Sequence, residues 1–196
     1  MEMTILVTYA SRNGATREIA ERIGGVLRRA GLEVDVAPVD TIRSLSPYQA
    51  VILGSAIYIG KWQKDATVFL QENAQALADR PTWLFASGPT GLGDPVSLVE
   101  GKILPANLEP LVERIHPRAV AIFHGCIAPE KISFIEKSVI KGMHKPFGDF
   151  RDWEMIETWA AMVAAQLAAQ SAAQAAAGLS LEMNAARSGS LIHQPL

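Results

Sequence analysis

The chain has 196 residues, of which 49% are hydrophobic and 19% charged, a composition that suits one folded domain and excludes a disordered protein. Its 18 Lys and Arg residues nearly balance its 20 Asp and Glu residues, for a net charge of −2. This balance argues against a nucleic-acid-binding protein that depends on a positive field. The chain also lacks the strong acidity that a soluble carrier protein would use to dock on basic partners.

The first residues enter a strand pattern without the features of a signal peptide, and no apolar run approaches the roughly 20 residues that span a bilayer. We therefore expect a cytoplasmic protein. Cys126 is the single cysteine. It ends an apolar run and has no metal-ligand spacing around it, so we expect a buried and inert thiol.

Five short apolar runs predict strands that are buried on both faces of a sheet. These runs cover residues 4–10, 33–39, 50–54, 82–87 and 119–123. Apolar side chains at helical spacing predict helices over residues 16–30, 65–77, 108–115 and 152–167. Gly54 is expected to end the third strand, and Asp149 or Asp152 to cap the last helix.

The alternation of strands and helices predicts an α/β protein with a doubly wound, five-stranded parallel sheet, arranged as a three-layer sandwich. Five strands favour the order 2-1-3-4-5, with a topological switch point between strands 1 and 3. Ligands bind beyond the carboxyl ends of the strands at such a point. The loops after strands 1, 3 and 4 therefore form the candidate site.

We expect this domain to cover residues 1–171. Ala and Gln dominate from residue 160 to residue 178, and Ser, Asn and Gly follow. The alanines could extend the last helix, but no sustained apolar face would hold that extension on the core. We therefore interpret residues 172–196 as an Ala-rich, disordered tail without chemistry.

The loop after strand 1 joins a buried strand to a helix N-terminus, where N–H groups and the helix dipole favour a phosphate. Its donors and its flexible backbone come from Ser11, Arg12, Asn13, Gly14, Ala15 and Thr16. Arg12 could assist or point into solvent. The structural alternative is an ordinary turn that Asn13 or Thr16 caps. The loop matches neither the P-loop nor the Gly-x-Gly-x-x-Gly pattern.

The loop after strand 3 begins with small residues and continues with apolar and aromatic ones. Its candidate cofactor contacts are Ser55, Ala56, Ile57, Tyr58 and Gly60. A flat ring system needs a stacking surface, for which Tyr58 is the first choice and Trp62 the second. The loop after strand 4 is tight and exposes its backbone. Its candidate contacts are Ser87, Gly88, Pro89, Thr90 and Gly91.

The segment 131–145, between strand 5 and the last helix, is amphipathic and basic and predicts a further helix. Its apolar residues are Ile132, Phe134, Ile135, Val139, Ile140 and Met143, and its basic residues are Lys131, Lys137, Lys141, His144 and Lys145. This helix could pack on the core, or it could lie on a membrane surface or on a partner protein.

The loop 11–16 resembles the flavodoxin phosphate loop, whose pattern is Ser/Thr-x-Thr-Gly-x-Thr. Ser11, Gly14 and Thr16 match this pattern, and Asn13 replaces a threonine with another polar donor. The glycine-rich stretch 87–94 resembles the third FMN loop of the same proteins. The resemblance implies a flavodoxin-like fold with FMN as the cofactor.

Residues 148–153, together with Phe123, His124, Gly125 and the basic segment, resemble the flavodoxin-domain family that includes menaquinone-dependent protoporphyrinogen IX dehydrogenases. This resemblance covers about residues 3–168. It implies an FMN-dependent oxidoreductase with a redox partner or quinone and a porphyrinogen substrate. Membrane contact through residues 131–145, at the inner face of the membrane, is an open alternative to a purely cytoplasmic protein.

Two other functions remain open at this point: a non-catalytic FMN electron-transfer flavodoxin, and a flavodoxin-like interaction module without a cofactor. The sequence offers no convincing Ser-His-Asp set, paired carboxylates or metal cluster, so we name no catalytic residue and no metal ligand. We expect structural roles for His116 and His124. In an enzyme of this kind, the flavin carries the redox step and the protein positions it.

Overall fold

The computed structural model describes residues 3–58, 60–142 and 146–190. Five long strands within this part of the chain form one parallel sheet: β1 (Thr4–Ala10), β2 (Glu33–Pro38), β3 (Ala50–Tyr58), β4 (Thr82–Ser87) and β5 (Ala119–Phe123). The α-helices are α1 (Ala15–Arg29), α2 (Lys64–Glu72), α3 (Ala74–Ala78), α4 (Pro95–Leu98), α5 (Glu109–Ile115), α6 (Phe134–Gly142) and α7 (Trp153–Ser190).

The strand order is β2-β1-β3-β4-β5, and all four pairings between these strands are parallel. The predicted order 2-1-3-4-5 is thereby confirmed. A two-residue strand, Lys61–Trp62, pairs antiparallel with the end of β3 and adds a sixth strand beside this path. If this short strand is counted, the same order is written 2-1-3-5-6.

The core lies in two layers, one on each face of the sheet. Ile5, Leu6 and Val7 of β1 are all fully buried, and successive side chains point to opposite faces because a strand alternates with a period of two. Ile5 and Val7 pack in the cluster that α1 and α7 cover. Leu6 packs on the other face, against residues of α2 and α3. This arrangement is the predicted three-layer sandwich.

Strand β3 is longer than predicted, because Gly54 lies inside it rather than at its end. A Cβ atom at Gly54 would lie only 1.9 Å from Cζ of Phe85, the residue opposite it on β4. Phe85 is fully buried, and its ring centroid lies 5.9 Å from that of Phe123 and 6.3 Å from that of Trp159. Gly54 therefore provides room for an aromatic cluster under α7.

Residues 55–58, which the sequence places in a loop, continue β3. Ser55 and Ala56 still belong to the parallel sheet, where they lie opposite residues of β4. Beyond them, Ile57 pairs antiparallel with Trp62 and Tyr58 with Lys61, which extends the strand past the parallel sheet. This hairpin lies outside the hydrophobic run at residues 50–54 that defines the strand in the sequence. Strand periodicity alone did not reveal it.

The helix predicted over residues 65–77 is two helices, α2 and α3, that meet at Asn73. The side-chain amide of Asn73 donates a hydrogen bond to the carbonyl oxygen of Phe69 at 3.0 Å. The backbone N–H of Asn73 donates to the same oxygen at 3.1 Å. Such local side-chain bonds compete with the helical pattern and mark its interruptions.

Helix α7 begins at Trp153, and Asp152 is its cap: the backbone N–H of Met155 donates to Asp152 Oδ1 at 2.9 Å. The helix continues to Ser190, beyond the predicted end near Leu167, through a stretch rich in alanine, which favours helix. The boundary between a domain at 1–171 and a tail at 172–196 stays a prediction. Residues 191–196 lie outside the described residues. No helix in the described part of the chain is long and apolar enough to span a membrane.

The contact at Gly54 leads to a prediction about stability. Gly54→Ala should lower the free energy of unfolding by about 3 kcal/mol, because the new methyl group overlaps a ring that the core holds in place. Urea denaturation followed by tryptophan fluorescence measures this change. Gly142→Ala is the matched control, since nothing lies within 4 Å of a Cβ atom there. Equal stability of the two variants would contradict the packing argument.

Candidate cofactor site

A cavity of about 350 Å³ opens at the carboxyl ends of β1, β3 and β4. The switch point of the sheet lies here, so the three predicted loops meet at one place. The predicted site residues that line the cavity are Ser11, Arg12, Asn13, Ala15, Thr16, Ala56, Ile57, Tyr58, Gly60, Ser87, Gly88, Pro89 and Thr90.

The first loop leads into α1 through Gly14, which has a left-handed backbone with φ of +90°. The N–H of Gly14 donates to Ser11 Oγ at 3.1 Å. The N-cap residue of α1 is Gly14, and no side-chain cap hydrogen bond to the first turn is found among the described residues, so α1 does not begin with the turn capped by Asn13 or Thr16 that was the structural alternative. The first turn of α1 therefore keeps backbone donors for an anion beside the cavity.

Two hydroxyl groups in the cavity wall are buried and lack a hydrogen-bond partner among the described residues. They are Oγ1 of Thr16, in the first turn of α1, and Oγ1 of Thr90, in the loop after β4. A buried polar group without a partner costs about 1–3 kcal/mol. Such groups on two sides of one cavity fit a ligand that carries polar atoms at both ends.

Arg12 and Tyr58 connect the first loop to the end of β3. The Arg12 Cζ atom lies 5.3 Å from the centroid of the Tyr58 ring, within the range of a cation–π contact. Tyr58 is half-buried and lines the cavity. Trp62, the second choice for a stacking residue, is only 5% exposed and packs in the core with α2. The hairpin turns Trp62 inward, so its assignment as a stacking residue was wrong.

Three predicted site residues do not line the cavity: Gly14, Ser55 and Gly91. Ser55 is fully buried, and its Oγ accepts a hydrogen bond from the Gln63 N–H at 3.0 Å and donates to the Ala56 carbonyl at 3.1 Å. In this geometry Ser55 stabilises the hairpin after β3. Gly14 and Gly91, with φ of +90° and +132°, shape the backbone of their loops.

Close backbone contacts build the wall at the loop after β4. A Cβ atom at Gly88 would lie 2.9 Å from Cβ of Ile57, and one at Gly125 would lie 3.2 Å from Cα of Gly88. The backbones that follow β4 and β5 can lie this close to each other and to β3 only because Gly88 and Gly125 have no side chain.

His124 contacts the loop after β4 through both of its ring nitrogens. Its side chain is 5% exposed, with Nε2 at 2.9 Å from the Gly93 carbonyl oxygen and Nδ1 at 3.3 Å from that of Pro89. His124 thus has the structural role that we expected. Next to it, Asp94 caps α4, and hydrogen bonds from the Ser97 hydroxyl and N–H hold the pKa of the Asp94 carboxyl below its usual value.

The structure adds wall residues that the sequence analysis did not place in the site: Gln63, Val99, Gly125, Cys126, Ile127, Ile132 and Ile140. Most belong to the segment between β5 and α7. Cys126 and Ile127 pair antiparallel with Gly148 and Asp149 in a separate two-stranded sheet, and both line the cavity. The expectation of a buried Cys126 was therefore wrong, since the residue is half-buried and lines the wall.

The predicted basic helix at 131–145 is present as the shorter α6, and its apolar residues are divided between two surroundings. Ile132 and Ile140 are 9% and 6% exposed and line the cavity, whereas Phe134 and Ile135 are 83% and 76% exposed. Part of the segment thus packs on the molecule as predicted, and Phe134 and Ile135 leave an exposed apolar surface. Contact with a membrane or a partner stays a prediction. Residues 143–145 lie outside the described residues.

Comparison with known proteins agrees with this geometry. A family model described as a flavodoxin domain matches residues 6–153. The protoporphyrinogen IX dehydrogenase (quinone) of Escherichia coli strain K12 is 24% identical over an alignment of 183 positions, which covers 83% of this chain and 95% of that protein.

Two solved structures share the fold. The flavodoxin of Streptococcus pneumonia TIGR4 has a TM-score of 0.53 at 18% identity, over 83% of this chain and 99% of that one. The rubredoxin oxygen:oxidoreductase of Desulfovibrio gigas has a TM-score of 0.56 at 16% identity, over 85% of this chain and 36% of that one.

The chain belongs to the flavodoxin domain family. Its cofactor is accordingly FMN, and the cavity agrees with that assignment: an uncapped helix start lies beside it and unpaired hydroxyls lie in its wall.

The loop at Gly14 leads to a prediction about cofactor binding. Gly14→Val should abolish FMN binding while the fold persists, because a β-branched residue opposes φ of +90° and distorts the loop. Titration of the apoprotein with FMN, followed by flavin fluorescence, measures the loss.

Gly31→Val is the matched control for this variant. Gly31 also has a positive φ, of +84°, but it follows the opposite end of α1. This control should lose stability and keep its affinity for FMN. Unchanged FMN affinity in Gly14→Val would show that the phosphate binds elsewhere.

Proposed function

We propose that this protein is an FMN-dependent oxidoreductase that oxidises a porphyrinogen and passes the electrons to a quinone. The observation that supports it most directly is the extent of the cavity. Beyond the three loops at the switch point, the cavity continues to a wall of Gly125, Cys126, Ile127, Ile132 and Ile140. An electron carrier that exchanges electrons at an exposed flavin edge has no need of such an enclosure.

We assign the cofactor as follows. The phosphate lies at the start of α1, where Ser11, Asn13 and Thr16 add side-chain donors to the backbone N–H groups. The flat ring system lies between the end of β3, with Tyr58, and the glycine-rich loop at residues 87–91. Backbone groups of this loop and the Thr90 hydroxyl bind its polar edge.

FMN supplies the redox chemistry when it is bound, and the protein supplies the surroundings. Val99, Ile127, Ile132 and Ile140 present aliphatic side chains to the cavity. Such a wall excludes water and favours an apolar or planar reactant beside the cofactor. A quinone ring is planar and largely apolar, and the macrocycle of a porphyrinogen is largely apolar.

The Escherichia coli relative supports the same reaction, since it is a protoporphyrinogen IX dehydrogenase (quinone) and the match spans 95% of its length. The net charge of −2 also favours an enzyme over a carrier that uses strong charge to find its partners.

We further propose that α6 rests on an anionic membrane surface. Phe134 and Ile135 are exposed side by side, and Lys141 is exposed on the same helix. Apolar side chains flanked by basic ones favour the boundary between acyl chains and anionic headgroups. Membrane quinones would then reach the cavity close to where they are dissolved.

The assay for the reaction combines FMN-loaded protein, protoporphyrinogen and a water-soluble menaquinone analogue under anaerobic conditions. We expect porphyrin fluorescence to rise faster than in the mixture without protein. No gain over the uncatalysed rate would exclude this substrate and leave the electron carrier.

A pair of variants on α6 tests the role of the cavity wall in the same assay. Ile140→Glu should lower kcat/KM at least tenfold and keep FMN affinity within about threefold, because a charge enters the apolar part of the wall. Ile135→Glu, on the exposed side of the same helix, is the control and should retain its rate in the absence of lipid. Equal effects of both changes would contradict a reactant site at this wall.

The membrane contact is tested by sedimentation with phosphatidylglycerol vesicles. Wild-type protein should bind, and the double variant Phe134→Ser with Ile135→Ser should bind at least tenfold more weakly, because each buried side chain contributes about 1.5–3 kcal/mol. Met162→Ser, which changes an exposed residue of α7, is the control. Absence of vesicle binding by the wild type would contradict the membrane contact and leave this surface to a protein partner.

A further inference from the structure

Arg151, which precedes α7, is a buried charge that the proposed reaction does not use. Its side chain is only 6% exposed. The Nη1 atom lies 2.7 Å from Oε2 of Glu18, while Nη2 and Nε lie 2.6 Å and 2.8 Å from the two carboxylate oxygens of Asp149. The same Nη1 donates to the Ala15 carbonyl at 3.4 Å. Hydrogen bonds to Asp149, and then to Glu18, raise the pKa of Arg151 above its usual value.

The carboxylate of Glu18 lies beside the phosphate loop. Glu18 is in the first turn of α1, and its Oε1 atom is 4.0 Å from the position that a Cβ atom would take on Gly14. A negative charge this close to the loop opposes a phosphate dianion, and the effect is strong in a partly buried site. The guanidinium of Arg151 binds the other oxygen of the same carboxylate and offsets that charge.

Other charged groups near Arg151 come from α1 and α7. The Trp153 ring contacts two guanidinium groups, with Arg151 Cζ at 4.5 Å and Arg22 Cζ at 4.9 Å from its centroid. Arg22 is paired with Glu157 at 2.8 Å, on the exposed surface. Arg22 therefore resembles Arg151 in its contact with Trp153 and differs from it in not touching Glu18 or the loop.

Arg151 also connects the phosphate loop to the opposite wall of the cavity. Its partner Asp149 pairs with Cys126 in the two-stranded sheet. Next to it, the N–H of Phe150 donates to the Gly125 carbonyl at 3.2 Å. Gly125 and Cys126 line the cavity. One side chain thus joins the start of α1 to the segment that closes the site.

We propose that Arg151 is a positioning residue for the cofactor phosphate: it holds the Glu18 carboxylate and neutralises its charge beside the loop. This inference rests on the proposed place of the phosphate. The place of the phosphate and the role of Arg151 are tested by different variants, because a phosphate bound elsewhere would leave FMN affinity unchanged in Gly14→Val. The role of Arg151 is separated from that question by comparing ligands with and without phosphate.

The experiment titrates apoprotein with FMN and with riboflavin, which lacks the phosphate. Arg151→Gln should weaken FMN binding about tenfold or more and riboflavin binding less than about twofold, because the unpaired Glu18 repels only the phosphate. An equal loss for both ligands would show a merely structural role and overturn the proposal. Unchanged FMN affinity would also overturn it.

Partner and control variants complete the test. The double variant Arg151→Gln with Glu18→Gln should recover FMN affinity to within about threefold of wild type, since the repelling charge is gone. Arg22→Gln, which removes the other guanidinium from Trp153, should leave the ratio of FMN to riboflavin affinity unchanged. Failure of the double variant to recover, or a change of the ratio in Arg22→Gln, contradicts the proposal.

Glu18→Gln by itself covers the case in which Arg151→Gln does not fold. It should tighten FMN binding about threefold and leave riboflavin binding unchanged, because one negative charge leaves the surroundings of the phosphate. This gain should shrink as salt is added, since salt screens the interaction. Absence of any gain at low salt would overturn the proposal.

Discussion

The parallel pairing of β1 with β3 is the constraint on which the rest of the structure depends. β1 has β2 on one side and β3 on the other, so the side of the sheet to which successive strands are added changes at this pair. The connections then run on opposite faces, which leaves a crevice above the carboxyl ends. The uncapped start of α1, the hairpin after β3 and the loop after β4 all border that crevice. The place of the cofactor site is therefore a consequence of strand order.

Close packing beneath the crevice gives the site its shape. Gly54 admits the Phe85 ring below, and Gly88 and Gly125 let the chain ends stack above. The shape of the site thus depends on glycines both in the cavity wall, Gly88 and Gly125, and below it, Gly54. The segment from Gly125 to Phe150 adds the wall that makes the site an enclosure, and Arg151 connects that wall to α1. The start of α1 and the segment after β5 come from distant parts of the chain and are joined by the two ion pairs of Arg151.

Sequence reasoning was most successful where the chemistry is local. The strands at residues 4–10, 82–87 and 119–123 agree with the structure to the residue because short apolar runs have clear ends. The loop at residues 11–16 was recognisable from its position and its donors. The assignments that were wrong involve strand pairing that periodicity does not show: Trp62 turns inward in the short hairpin after β3, and Cys126 pairs with Asp149, 23 residues further along the chain. Ile132 and Ile140 were visible as apolar residues, but periodicity could not say which surface they cover.

The sequence by itself determined the succession of the main strands and helices and the donors of the first loop, because these follow from periodicity and from residues adjacent in the chain. The flavodoxin-like class followed from the resemblance of that loop to the flavodoxin phosphate loop. Only the tertiary structure decided that Ser55 supports a hairpin, that the segment after β5 walls the cavity and that Arg151 meets Glu18. The physical reason is distance along the chain. Glu18 and Arg151 come together only after the sheet has formed and α7 has packed against α1, and no local pattern records such a contact.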